Sequence, residues 1–228
     1  MKLYERPGFP NPARIRIVLA EKKLEQGVEF VNVDLIGAEH KALNYVSRNP
    51  FGVLPALELD DGTVLAESTA ITEYLDNLDG KPALTGRTPR EKGLIHMMQR
   101  RAESEVLDAV GHYFHYATPG LGPALQAFKS PDWAGRKEWG EREGQRAIAG
   151  MRYFDEVLRT TPFVAGERFS MADITLLAGL WFAGAAGLAV PEELSRLKDW
   201  QARVSELPSV KNRGGQHFLP EDLKRMGY

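Results

Sequence analysis

Apolar and polar positions alternate in short stretches near the start of the chain and recur every three or four residues through most of the remainder. Lys2–Glu5 reads as a short strand, and V-E-F-V-N-V-D over Val28–Asp34 alternates as a second. Between them, Ala13–Lys23 carries Ile15, Val18 and Leu19 on one helical face. Pro12 suits its first turn, where a missing N–H costs nothing. Glu39–Val46 reads as a short helix ended near Asn49-Pro50. Strands Ala56–Leu59 and Thr63–Ala66 flank Asp61-Gly62, a strong hairpin signal. Ala70, Ile71, Tyr74 and Leu75 then mark a helix over Ser68–Leu78. The predicted order is βαβαββα, with a parallel pair first and a hairpin last.

That order is thioredoxin-like and occupies residues 1–79. Residues 80–89, dense in Gly and Pro, read as a linker. From Arg90 onward the pattern predicts helices and no strand. Glu91–Tyr116 is one long helical stretch, broken by A-T-P-G-L-G at Ala117–Gly122. Asp132–Arg159 is a second, with Met151, Phe154 and Leu158 on one face. Ser170 and Asp173 are spaced as a capping box opening a third helix, with Phe169 placed as a staple. Glu193–Leu207 is a further helix, and Gln216–Tyr228 a polar tail with no assigned place. The expected fold class is α+β: a thioredoxin-like domain followed by an all-α domain over 90–228.

Composition narrows the function. The 228 residues allow one or two domains and are 43% hydrophobic and 26% charged, as in a soluble globular protein. No apolar run reaches a membrane span; Ile174–Val190 reads as a buried core helix. Met1-Lys2-Leu3-Tyr4 runs straight into a strand with no visible signal peptide, so a cytoplasmic location is expected. A net charge of −2 argues against nucleic acid and anionic membrane as partners. With no cysteine there is no disulfide, thiolate metal site or cysteine nucleophile, and no metal is expected.

The most informative stretch is Gly52-Val53-Leu54-Pro55-Ala56-Leu57, followed by Glu67-Ser68. Pro55 lacks the N–H a central strand needs, so it marks a loop entering Ala56–Leu59. X-Pro is the bond at which a cis peptide is cheap. A cis turn is expected to leave the N–H and C=O of Val53 facing outward, able to pair with an extended peptide. Ser68 at a helix start, beside free N–H groups, suits a carboxylate, and Glu67 suits an ammonium. A ligand with a peptide backbone, a carboxylate and an amine meets these requirements.

G-V-L-P-A-L and E-S-T-A-I at this spacing, with S-M-A-D-I-T and P-S-V further on, resemble the glutathione transferases over about residues 1–212. The resemblance implies a homodimer that takes glutathione as co-substrate and conjugates its thiolate to a small hydrophobic electrophile. It assigns the Val53 backbone, Leu54 and Pro55 to the cysteinyl unit, Glu67 and Ser68 to the γ-glutamyl end, and His40 and Lys41 to the glycyl carboxylate. Dimer contacts are expected on Glu91–Arg101 and around Asp60–Thr63.

Most members place Ser, Tyr or Cys after the first strand to hold the sulfur. Here R-P-G-F-P-N-P-A-R over Arg6–Arg14 has none, and Phe9 or Pro10 stands in that place. The positive end of the following helix, through the N–H of Ala13 or Arg14, and the Asn11 amide are substitutes. The second half adds L-D-A-V-G-H-Y-F-H-Y-A-T-P-G-L-G over Leu107–Gly122. With Thr88–Met98 and Glu58–Thr63 it resembles the yeast glutathione transferase II type, which also lacks the loop hydroxyl. That resemblance implies a water held by a helix Ser and His. His115 matches the His, whereas Gly111 stands where the Ser would be. His112 and His115 are three apart and expected on one face. Phe9, His112, Tyr113 and Tyr116, with Leu121 and the Trp133–Trp139 region, are candidates for the electrophile site. Two other readings remain open: a glutathione-binding, ligandin-like module, and a glutathione-dependent peroxidase.

Overall fold

Four short strands form one mixed sheet in the order β2-β1-β3-β4, seen in a computed structural model that describes residues 1–121 and 135–226. Central β1 (Lys2–Glu5) pairs in parallel with β2 (Glu29–Asn32) and antiparallel with β3 (Ala56–Glu58), which pairs antiparallel with β4 (Val64–Ala66). Leu3 faces Leu57 and Tyr4 faces Ala56 across the β1–β3 ladder. Because side chains alternate, Leu3 and Leu57 enter the main core while Tyr4 and Ala56 join a smaller cluster with Val33, Tyr45 and Leu54. β2 is shorter than the alternation over Val28–Asp34 suggests, because its four-residue partner β1 ends at Glu5. Asp61 Oδ1 accepts the Thr63 N–H at 2.9 Å across the hairpin, and Gly62 takes a φ of 85° that suits glycine.

Helix α1 (Pro10–Lys22) begins three residues before the expected Ala13. The carbonyl of Phe9 accepts the Ala13 N–H at 3.0 Å, so Pro10 and Pro12 both fall where a helix has unpaired donors. Expected helix Glu39–Val46 is split into a 3₁₀ turn (Glu39–Lys41) and α2 (Leu43–Val46), separated by extended Ala42. α3 spans Ser68–Asn77.

The long pattern ahead of the Thr118 break is three pieces: α4 (Pro89–Ala102), a π turn (Glu103–Leu107) and α5 (Asp108–Ala117). Thr88 and Glu91 form a full capping box at the start of α4. α6 (Lys137–Val157) lies along α5; the expected start at Asp132 falls outside the described residues. Glycines allow the close approach. A Cβ on Gly150 would sit 2.5 Å from the Glu105 carbonyl oxygen, and one on Gly144 2.7 Å from the Tyr113 ring. α7 (Met171–Ala185) is the buried central helix. Its expected capping box is present, and Asp173 also accepts from the Val164 N–H at 2.8 Å and Trp200 Nε1 at 3.1 Å. α8 (Ser195–Ser205), α9 (Pro208–Lys211) and α10 (Pro220–Met226) complete the fold. No strand is found beyond residue 90 among the described residues, only an isolated bridge between Phe163 and Gly166.

One apolar core runs from Leu3, Ile15 and Leu57 through Ile71 and Val106 to Phe154 and Trp200. α1 packs on α3 within the first half and on α7 of the second. The N-terminal end of α1 therefore stands at the junction of both halves. None of the helices among the described residues is long and apolar enough to cross a membrane.

Candidate active site

The Leu54-Pro55 peptide is cis, as the sequence suggests. The backbone groups it presents are shifted by one residue from expectation. The Val53 carbonyl already accepts from Tyr45 Oη at 2.7 Å and Asn49 Nδ2 at 2.9 Å. Burial pushes the Tyr45 phenol up to about 12, so it remains a donor. Both acceptor positions of Val53 are thus used. Leu54 is different: neither its N–H nor its C=O has a partner among the described residues. It is Leu54, not Val53, that offers both backbone groups to an extended peptide.

Glu67 occupies the N-cap position of α3 with φ 68°, a left-handed conformation that costs a non-glycine residue on the order of 1 kcal/mol. Its carboxylate is exposed. Ser68 is the first residue of α3 and is buried, and its hydroxyl has no partner among the described residues. The first carbonyl bond of the helix goes from Ile71 N–H to Glu67, leaving the Ser68 and Thr69 N–H groups unpaired beside that hydroxyl. This is a small anion cradle with a carboxylate at its lip.

Across the cis-Pro loop, Lys41 Nζ donates to the Gly52 carbonyl at 2.6 Å. His40 is buried at 8% exposure, and its Nδ1 has no partner. Burial first, and then the Lys41 charge, push the imidazole down to about 4, so His40 is neutral.

The junction is organised by a residue whose side chain belongs to none of the sequence motifs. Arg14, buried in α1, donates from Nη1 to Asn11 Oδ1 at 3.1 Å and Glu103 Oε1 at 3.0 Å, and from Nη2 to Thr69 Oγ1 at 3.4 Å. Gln99 Nε2 donates to the same Thr69 hydroxyl at 2.7 Å. One guanidinium thus ties α1, α3 and the π turn. Burial lowers its pKa and the Glu103 carboxylate opposes that shift. A charged residue inside the apolar stripe of α1 is the signal that marks it in the sequence.

The α1 end offers fewer donors than expected. The Ala13 N–H is used by Phe9, and Pro10 and Pro12 have none. Asn11 keeps its backbone N–H and its Nδ2 without partners among the described residues. Phe9 meets Phe218 edge-on at 5.1 Å.

The two α5 histidines do not share an environment. His112 Nδ1 lies 2.9 Å from Glu143 Oε2 and its ring 4.8 Å from Trp139 on α6. His115 is exposed, with its ring 5.3 Å from Phe114. Tyr113 lies over Gly144 and Tyr116 meets Trp139 at 4.9 Å, so both line the α5–α6 seam. Trp133 lies outside the described residues. Arg100 pairs with Glu103 and Asp108, each at 3.6 Å, whereas Glu105 pairs with Arg146 and not Arg101. His96 approaches Glu73 at 2.5 Å. No group of three or more His, Asp or Glu is placed to hold a metal ion among the described residues.

The unpaired Leu54 backbone groups, the Ser68 cradle and the unpaired Asn11 donors are the groups this face leaves without partners among the described residues. The chain as a whole is similar to known proteins. The family model of the glutathione S-transferase N-terminal domain matches residues 1–77, and that of the C-terminal domain residues 123–208. Glutathione S-transferase 2 of Saccharomyces cerevisiae is 54% identical over 211 residues, 92% of this chain and 88% of that protein. The crystal structure of Gtt2 from Saccharomyces cerevisiae superposes with a TM-score of 0.88 at 54% identity, over 93% of this chain and 99% of that one. A glutathione S-transferase domain-containing protein of Marinobacter aquaeolei gives 0.85 at 48% identity, over 92% and 100%. The chain belongs to the glutathione S-transferase family.

Proposed function

We propose that the protein conjugates the glutathione thiolate to small apolar electrophiles, as a cytosolic homodimer, with the thiol ionised by the α1 end and not by a loop hydroxyl. The reading rests on one observation above all. Asn11 has its side-chain oxygen engaged by Arg14, so Nδ2 and the Asn11 backbone N–H are both left without partners among the described residues. Two donors at a helix N-terminus favour an anion, and the thiolate is the nucleophile. Leu54 holds the cysteinyl unit, Glu67 and Ser68 the γ-glutamyl end, and His40 with Lys41 the glycyl carboxylate. His115, exposed near the end of α5, takes the proton through a water. Phe9 and the Tyr113–Tyr116 seam meet the electrophile. Exposed Leu43 (82%) and Phe51 (81%) beside the first half support burial against a second copy.

The test is a titration of the bound glutathione thiolate by its ultraviolet absorbance, in the native protein and in His115→Ala. Ionisation well below the free thiol value in both leaves Asn11 and the α1 end as the activating groups. A shift lost in His115→Ala assigns the work to His115. Binding with no shift in the native protein overturns conjugation and leaves a binding module.

A further inference from the structure

The polar tail that the sequence leaves unplaced runs back across the first domain. Arg6, at the end of β1 and 6% exposed, donates from Nε and Nη2 to the two Asp222 oxygens, each at 2.6 Å. Asp222 is fully buried. Glu221 adds a carboxylate 3.6 Å from the same guanidinium. Arg225 Nη1 reaches both Asp34 oxygens at 2.8 and 2.9 Å, on the loop that leads to His40. The Gly8 N–H donates to the Gly215 carbonyl at 3.0 Å. The approach at Gly8 is so close that an added Cβ would lie 2.6 Å from the Phe218 backbone nitrogen. Phe218 then stands edge-on to Phe9, the N-cap of α1. Buried bidentate pairing of this kind is strongly destabilising to break from one side, so the strap is held and not merely resting.

We propose that residues 214–226 are a built part of the active site: the Arg6–Asp222 latch holds the strap on the loops after β1 and β2, and Phe218 is a specificity-determining residue for the apolar group carried on the glutathione sulfur. This rests on the reading that the thiol lies at the α1 end beside Asn11. Phe9 and Phe218, both half-buried and edge-on at 5.1 Å, form an aromatic pair at the start of α1. An apolar substituent on sulfur leaves water by lying against that pair. Asp222 touches no substrate and is a positioning residue.

The experiment measures binding of glutathione and of S-hexylglutathione by tryptophan fluorescence, in the native protein, Phe218→Ala, Phe218→Leu and Asp222→Asn. No turnover is required. The native protein is expected to bind the hexyl derivative more tightly than glutathione. Phe218→Ala is expected to lose about five- to tenfold of that preference, since each buried methylene is worth roughly fourfold. Its glutathione affinity stays unchanged, and Phe218→Leu restores most of the loss. Asp222→Asn is expected to reproduce the Phe218→Ala ratio; should it not fold, Phe218→Ala decides alone. An unchanged preference in Phe218→Ala, no preference in the native protein, or an equal loss for both ligands overturns the strap's role. Failure of the transferase reading is seen separately, as bound glutathione whose thiol stays protonated.

Discussion

Asn11 and Arg14 are one helical turn apart, and the 3.1 Å bond between them decides which end of the Asn11 amide faces outward. A guanidinium has only donors, so the atom turned to Arg14 must be the amide oxygen. The NH₂ group is left without a partner among the described residues. Arg14 is in turn anchored by Glu103 and Thr69, so the orientation is set from three elements.

On the proposed reading, removing that donor is expected to weaken thiol ionisation. Asn11→Ala is expected to raise the pKa of the bound thiol by about one to two units, one hydrogen bond to a charged group being worth roughly 1.5–3 kcal/mol. Asn11→Asp is expected to raise it further, since a carboxylate opposes the thiolate. Titration of thiolate absorbance in the two variants checks both; an unchanged pKa in Asn11→Ala removes Asn11 from the mechanism.

Gly111 leaves room for the hydroxyl it lacks. A Cβ there would meet only the Phe182 ring edge, at an ordinary 3.6 Å. Gly111→Ser is therefore expected to fold normally and to gain a few tenths of a kcal/mol from helix propensity. If His115 acts through a water, the added hydroxyl supplies a second anchor. Conjugation at pH 6.5 is then expected to rise relative to pH 8, measured as kcat/KM at both values.

His40 makes stability depend on pH. Its folded pKa of about 4 lies below the ordinary 6.5, so the native state resists protonation. The stability it contributes is complete above about pH 6.5 and is lost as pH falls toward 4, by on the order of 2–3 kcal/mol. His40→Gln removes this dependence. Urea unfolding at pH 7 and 4.5 is expected to show a larger drop for the native protein than for the variant.

The α6 contact at Gly150 tolerates no side chain. The Glu105 carbonyl blocks its Cβ position at 2.5 Å, and a backbone atom cannot swing aside. Gly150→Ala is expected to destabilise by about 1–3 kcal/mol despite the better helix propensity of alanine. Gly184→Ala, whose Cβ meets nothing within 4 Å, serves as the control and is expected to be neutral or stabilising in thermal unfolding.

Local chemistry alone determined much of this protein. The βαβαββα order, the cis turn at Pro55, the Asp61-Gly62 hairpin and the Ser170–Asp173 box are all readable in sequence, because periodicity, proline and capping act within a few residues. Contacts between residues far apart in the chain decided the rest. Val53 is displaced by Leu54 because Tyr45 and Asn49 take its carbonyl. His112 and His115 separate because α6 lies against one of them. Arg14 becomes the hub because Thr69 and Glu103 arrive from two other elements. The tail finds its place only because Arg6 is buried and needs a carboxylate, which Asp222 brings from 216 residues away. Sequence spacing carries no record of such pairings; burial of charge and the closing of the core around it select them.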